Sequence, residues 1–303
     1  MSVGPLPGFV AFGEALTDLI RVDASHWRSC DGGAPWNLAR AMQGLGVASA
    51  FAGAVSRDVF GQSLVNASVE AGLDRRYVQQ LDKAPLLAIV HETRPPQYFF
   101  VGDDSADLHF DPARLPKGWR EALRWAHFGG ISLAREPLAG RLLELAEALK
   151  RDGKRVSYDP NFRAALAAGY AGAAERLCRI ADVIKVSDED LLGLFPGRSV
   201  DEGVAQLRAW NPQAWLMVTR GAQGGELLKD DARCEARPPA IKVVDTVGAG
   251  DASMAGLLFS LLTRPVGPVQ SHLQFAMAAG AAACTRAGPV SLSVEIVEAL
   301  LLR

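Results

Sequence analysis

The stretch Asp245-Thr246-Val247-Gly248-Ala249-Gly250-Asp251 holds the residues of this chain best suited to chemistry. Gly248 and Gly250 can take backbone angles closed to other residues and let a ligand come close to the main chain. Successive N–H groups there, backed by the positive end of a following helix, form a cradle for an anion such as phosphate. Asp251 is a carboxylate beside that cradle, where a second negative charge is unfavourable unless it has a task. Such a pair suits phosphoryl transfer, with the carboxylate orienting and deprotonating an acceptor hydroxyl. Read alone, the same residues are also a tight turn with an ordinary N-cap.

Three further groups of residues offer complementary chemistry. In Asp31-Gly32-Gly33-Ala34-Pro35-Trp36-Asn37-Leu38-Ala39, a Gly-Gly turn exposes backbone N–H groups. Asn37, near the start of the next helix, offers both a donor and acceptors to hydroxyls. Asp18 is able to accept from two neighbouring hydroxyls, a usual grip on a sugar; equally, Asn37 serves as a cap and Asp18 as a solvated strand residue. In Ser157-Tyr158-Asp159-Pro160-Asn161-Phe162-Arg163, polar residues follow a strand, where ligands of open α/β sheets bind. Arg163 there suits the charge of a moving phosphate or, as plainly, a surface ion pair. Thr219-Arg220-Gly221-Ala222-Gln223-Gly224-Gly225 is a strand followed by a glycine turn, suited to a nucleotide.

Other phosphate-binding devices are missing. No G-x-x-x-x-G-K-[ST] occurs, no G-x-G-x-x-G follows a strand, and the H-R-D and D-F-G set of protein kinases is absent. The histidines show no metal-ligand spacing with each other or with cysteine. The acidic run Asp188-Glu189-Asp190 reads as a solvated loop that, lying just after a strand, is also placed to help hold Mg²⁺.

These groups need a scaffold, and the hydropathy pattern supplies one. Strand-like runs at Phe9–Phe12, 48–54, Trp125–Phe128, 156–158, 183–186 and 216–219 alternate with helical patterns at 37–45, 62–71, 137–151, 172–180, 200–210 and 271–284. The apolar residues Ala240, Ile241, Val243 and Val244 read as a strand leading into the glycine turn, with a helix following to Leu262. Repeated β-then-α order argues for a largely parallel sheet with helices on both faces. Residues 16–22, 86–92 and 97–101 break that rhythm. The last two look like a hairpin around Arg94-Pro95-Pro96, and together the three read as a small β-sheet lid. The triplet Tyr98-Phe99-Phe100 reads as an apolar edge that needs covering, which argues for a dimer formed through the lid.

Composition narrows the function class. The 303 residues are 49% hydrophobic and 22% charged, ample for a packed core. A formal net charge of −2 gives no basic field for nucleic acid or an acidic membrane. No apolar run is long enough to span a bilayer, and no signal peptide is evident. Cys30, Cys178, Cys234 and Cys284 include no C-x-x-C pair and read as reduced thiols of a cytoplasmic protein.

Taken in order, the motifs resemble those of the PfkB/ribokinase family of sugar and nucleoside kinases, from Gly13 to about Ser291. Residues 245–251 are similar to its signature D-T-x-G-A-G-D, and residues 32–39 to its G-G-A-x-x-N-x-A. The resemblance implies a ribokinase-like fold: a doubly wound, mostly parallel sheet flanked by helices, with a small β-sheet lid. Residues 1–303 would form a single kinase domain, with the lid built from strands near 14–35 and 86–102. It implies Asp251 as catalytic base, and Gly248, Ala249 and Gly250 as the anion hole for a γ-phosphate. Asp18, Gly32, Gly33 and Asn37 would bind the sugar, and Arg163 would lie near the transferred phosphate. Thr219, Gly221 and Gly224 would contact the nucleotide. ATP and Mg²⁺ are the implied cofactors, with K⁺ held near Asp245, Val247, Ala283, Arg286, Gly288 and Ser291.

Three departures from the family pattern stand out. Ser187-x-x-Asp190 replaces N-x-x-E near the metal, Met277 replaces an Asn facing the nucleotide, and Trp36 is bulkier than usual in the sugar motif. Residues 32–39, 159–163 and 185–190 look most like the fructokinase branch, so phosphorylation of a primary hydroxyl of fructose is expected. A 2-keto-3-deoxygluconate kinase and a ribokinase or nucleoside kinase are the alternatives within the fold. A catalytically silent sugar- or nucleotide-binding regulator is the alternative outside enzymology, and the presence of Asp251 weighs against it.

Overall fold

In the computed structural model, residues 4–93, 96–285 and 292–302 are described. The chain runs through β1 (Phe9–Phe12), β2 (Leu16–Arg21), β3 (Trp27–Gly32), α1 (Ala34–Gly44), β4 (Ser49–Ser56) and α2 (Val59–Glu70). It continues with β5 (Val78–Leu81), β6 (Leu87–Thr93), β7 (Pro96–Val101), α3 (Trp119–Ala122), β8 (Trp125–Gly129), α4 (Leu138–Arg151) and β9 (Arg155–Asp159). Next come α5 (Ala167–Ile180), β10 (Val183–Ser187), α6 (Asp188–Leu194), α7 (Val200–Trp210) and β11 (Trp215–Thr219). Last are β12 (Gly225–Lys229), β13 (Ala232–Ala236), α8 (Ala249–Thr263), α9 (Val269–Ala283) and α10 (Val294–Leu301).

A nine-stranded sheet in the order β13-β12-β11-β10-β9-β8-β1-β4-β5 forms the body. Strands β11 through β5 run parallel, and β11, β12 and β13 form an antiparallel meander at one edge, with β12 the strand that runs against the rest. Every residue of β1, β4 and β8 is buried, as expected of strands covered on both faces. In β1 the side chains alternate: Phe9 and Ala11 enter a core with Trp36, Met254 and Phe275, whereas Val10 and Phe12 enter another with Leu142, Leu177 and Leu207. Helices α1, α8 and α9 thus cover one face, and α4, α5 and α7 the other. This is the doubly wound arrangement expected, with no helix among the described residues long and apolar enough to cross a membrane.

The second sheet, ordered β3-β2-β6-β7, is the lid. Two antiparallel hairpins join through the parallel pair β2–β6. Its root is a small apolar cluster of Leu16, Leu86, Ala88 and Ile131. The expected hairpin turn falls at Arg94 and Pro95, outside the described residues, and Pro96 opens β7.

Several expectations need correction. Residues 240–244 form no strand; this segment is irregular and is tied to the end of α9 by Val244 N–H donating to the Cys284 carbonyl at 2.9 Å. Val243 and Val244 are exposed there, so apolar content alone misled. The acidic run 188–190 is not a loop but the first turn of α6, where carboxylates favour the helix N-terminus. Strands β5, β12 and β13 lie outside the patterns read from sequence. The triplet 98–100 is not one apolar edge, because strand alternation sends Tyr98 and Phe100 to one face and Phe99 to the other. Tyr98 and Phe100 accordingly meet edge-to-face at 5.7 Å, while Phe99 leans toward His91.

Candidate active site

Loops that follow the C-terminal ends of the parallel strands β9, β10 and β11 border the site, as the rule for open sheets leads one to expect, while the glycine cradle follows the irregular segment before α8. Helix α8 begins at an N-cap glycine, Gly248, whose φ of 78° is left-handed. A side chain would be strained there, and glycine is not. Asp251 lies in the first turn of α8 but makes no capping bond, so the N-cap reading is set aside. Its Oδ2 instead accepts a hydrogen bond from Asn37 Nδ2 at 2.9 Å. Asn37 stands in the first turn of α1, which packs on α8. Two helix N-termini distant in sequence therefore meet at one carboxylate.

Burial is the largest influence on Asp251 and raises its pKa to about 7. The hydrogen bond from Asn37 opposes this, Asp159 adds to it, and Lys185 and Arg163 lower it again. The side chain is nonetheless only partly enclosed, which leaves it access to a ligand. A carboxylate with a pKa close to neutrality is suited to take a proton from a hydroxyl.

Under the glycine cradle lies a buried ion pair that the sequence reading did not single out. Lys185 Nζ donates to Asp159 Oδ2 at 2.9 Å, both side chains being almost fully buried. A Cβ on Gly250 would sit 3.1 Å from that ammonium, so the charge lies directly beneath the N-terminus of α8. The signal was visible: Lys185 interrupts the otherwise apolar strand Val183–Val186. Asp190 was weighed for Mg²⁺, but its oxygens are engaged elsewhere. Oδ1 accepts from Phe162 N at 2.7 Å and Oδ2 from Ser187 N at 2.7 Å, completing a capping box with Ser187. Asp190 therefore holds the Asp159–Arg163 loop to α6. Among the described residues, no group of three His, Cys, Asp or Glu is arranged to hold a metal.

Arg163 ends that loop, with Nη1 donating to the carbonyls of Asn161 and Phe162 at 3.1 and 2.8 Å. Its guanidinium lies 5.7 Å from the Tyr98 ring of the lid. The same charge lowers the pKa of both Asp251 on the body and Asp18 on the lid. Asp18 is raised to about 6 all the same, because burial outweighs Arg163. Its carboxylate lies over Gly32, where a Cβ would collide with Oδ2. At Gly33, φ is 112° and a Cβ would overlap the Glu14 carbonyl. The Gly32-Gly33 pair is thus required by close approach. Trp36 is a different matter: it is fully buried, donates from Nε1 to Ser68 Oγ at 2.8 Å and carries Arg40 on its ring. It packs in the core instead of shaping the pocket.

Thr219 ends β11 beside Ser187, its register partner at the end of β10. Gly221 has a φ of 51° with open space where a Cβ would lie, while a Cβ on Gly224 would overlap the Ala236 carbonyl. Met277 reaches this turn, since a Cβ on Gly225 would be 3.4 Å from its Cε. Of the residues expected around K⁺, Asp245 and Val247 are linked by Val247 N donating to Asp245 Oδ1 at 3.1 Å. Asp245 N also approaches the Cys284 carbonyl, next to Ala283. Arg286, Gly288 and Ser291 lie outside the described residues.

A glycine cradle at a helix N-terminus, a carboxylate of near-neutral pKa and a β lid on a doubly wound sheet define a phosphotransferase with an alcohol acceptor. The chain belongs to the pfkB family of carbohydrate kinases, matching it over residues 8–296. It is 33% identical over 294 residues to a fructokinase of Klebsiella pneumoniae, covering 92% of this chain and 94% of that one. The crystal structure of a fructokinase with bound ATP from Xylella fastidiosa superposes with a TM-score of 0.88 at 28% identity, over 98% of this chain and 99% of that one. An aminoimidazole riboside kinase from Salmonella enterica, complexed with aminoimidazole riboside and an ATP analog, gives 0.84 at 25% identity, over 97% and 99%.

Proposed function

We propose that this carbohydrate kinase transfers the γ-phosphoryl group of ATP to a primary hydroxyl of fructose. The observation that carries the reading is Asp251, held by Asn37 at the mouth of a glycine cradle with its pKa near neutrality. The carboxylate takes the proton of the hydroxyl as its oxygen attacks the γ-phosphorus. The bond to the β–γ bridging oxygen breaks, and ADP leaves with that oxygen's electron pair. N–H groups from Gly248, Ala249 and Gly250, with Lys185 beneath them, offset charge on the phosphoryl oxygens. Arg163 neutralises the same oxygens from the side of the lid. Asp18, Gly32, Gly33 and Asn37 hold the sugar hydroxyls, and Thr219, Gly221 and Gly224 line the nucleotide.

Mg²⁺ fits this site as a companion of the nucleotide, ligated mostly by phosphates and water. When bound it would shield phosphate charge, with Asp188 and Glu189 the carboxylates of α6 left to hold it. Asp245, Val247 and Ala283 are the described residues that would lie around a K⁺ held beside the cradle. We read the whole chain as one catalytic unit with a lid, working in the cytoplasm. Its dimer would cover exposed apolar residues of the lid, among them Trp27, Phe99 and Val101, and a monomeric mass in solution scattering contradicts that.

ATP consumption measured across a panel of sugars and sugar acids tests the substrate, with and without K⁺. Fructose should give the highest kcat/KM. A clear preference for a sugar acid or a riboside overturns the fructose reading.

A further inference from the structure

Four crossings join the lid to the body, and one short turn touches its first entry and its last exit. That turn is Gly130–Arg135, which follows β8. At its start, Glu14, on the entry from β1 into β2, is almost wholly buried. Its carboxylate accepts from the Ile131 and Ser132 N–H groups at 3.3 and 3.1 Å and from the Ser132 hydroxyl. Gly130, with φ of 72°, leaves room for it, since a Cβ there would overlap the carboxylate. In the middle, Ile131 is the buried residue that the body contributes to the apolar root of the lid, against Leu16, Leu86 and Ala88, with Leu166 packed alongside. At the end, Arg135 reaches the segment leaving β7: it pairs with Asp107 and donates to the Gly102 carbonyl and, at 3.0 Å, to Ser105 Oγ. Asp107 is fully buried and the Arg135 side chain mostly so.

The turn also packs on the helix that supports the Arg163 loop. The Ala134 carbonyl packs against Gly169 in α5, where a Cβ would overlap it. One residue on, Tyr170 meets the ring of Phe162 at 5.0 Å, and its hydroxyl donates to the Asn161 carbonyl at 3.4 Å. Those residues carry Arg163.

We propose that Gly130–Arg135 is the pivot of the lid and that Arg135 is a positioning residue for transfer. It fixes the lid's exit strand so that Asp18 comes to bear on the sugar in register with Arg163. Arg135 touches no substrate; its forked guanidinium bridges three groups at once, which the point charge of lysine does not. The inference rests on the sugar-kinase reading for its catalytic readout.

Removing one partner of a buried pair destabilises a protein, whereas replacing both with apolar residues is often tolerated. The informative variant is therefore the double substitution Arg135→Met/Asp107→Leu, with Arg135→Lys as a second. Sugar KM, kcat and the ratio of ATP hydrolysed to sugar phosphorylated are measured with fructose and ATP. Hydrogen exchange at β2 and β6 is followed in the same proteins. The expected result is a KM for sugar raised at least ~10-fold, faster exchange in β2 and β6, and more ATP hydrolysed per sugar phosphate, because an ill-closed lid admits water. A merely structural role leaves that ratio unchanged. A folded double variant, or a folded Arg135→Lys, with wild-type KM, coupling ratio and exchange overturns the proposal. If the wild type phosphorylates no sugar, the sugar-kinase reading fails instead, and exchange in β2 and β6 still decides whether Arg135 is the pivot.

Discussion

The carboxylates inside the body and the two where body and lid meet at the site, Asp18 and Asp251, are held in different ways. In the body, Asp159 and Asp190 spend their oxygens internally, on Lys185 and on the backbone N–H groups of Asn161, Phe162 and Ser187. They are buried, and they fix the loop that carries Arg163. At the boundary with the lid, Asp18 and Asp251 are only partly enclosed, and burial raises both above the ordinary carboxylate range, to about 6 and about 7. Saturated, buried carboxylates build the frame, and burial raises Asp159 among them as well; what sets Asp18 and Asp251 apart is their partial exposure, which suits the proposed roles of binding and deprotonating a hydroxyl. Groups that do chemistry are held at a cost in stability that the frame offsets elsewhere.

Breaking the frame should have the largest effect. Lys185→Met leaves Asp159 without its ammonium partner, and losing one half of a buried pair costs about 3–5 kcal/mol. Chemical denaturation should show that loss. Lys185 also lowers the pKa of Asp251, so the surviving activity should shift its acid limb to higher pH. Wild-type stability in this variant would mean the pair is not part of the frame.

A change on the lid side should be smaller and of another kind. Asp18→Asn keeps the side-chain volume and loses the charge proposed to accept sugar hydroxyls. A rise of roughly 10–100-fold in KM for fructose is expected, the loss of one or two charged hydrogen bonds, with little change in melting temperature. An equal fall in kcat with KM unchanged would place Asp18 in the chemistry and blur the distinction between the two regions.

The sequence disclosed one side of this comparison better than the other. The glycine turns around Gly32-Gly33 and Gly248–Gly250 are local: their chemistry needs angles or clearances that only glycine provides, and they were legible. The lid was legible because residues 16–22 and 86–101 broke the β-then-α rhythm. Lys185 and Asp159 were harder, since the meaning of a lysine in an apolar strand depends on a partner brought alongside by the parallel pairing of β9 and β10. Trp36 stood out as bulkier than usual in the sugar motif, but the rotation of α1, set by packing, turns it into the core toward Ser68. Residues 240–244 looked like a strand from composition, yet among the described residues they pair with no strand and Val244 is bonded instead to the end of α9.

The central claim is that Asp251 is the base, and the pH dependence of kcat/KM for fructose tests it most directly. Its carboxylate must be ionised to accept the proton. The profile should therefore be level above about pH 7 and fall roughly tenfold per unit below it, steepening further below about pH 6 as Asp18 protonates. In Asp251→Asn, turnover should drop by ~10²–10⁴-fold while calorimetry still detects fructose binding, and the break near pH 7 should vanish. A wild-type profile that stays level from pH 8 to 5, or an Asn variant that keeps both its rate and the break near 7, would contradict the account.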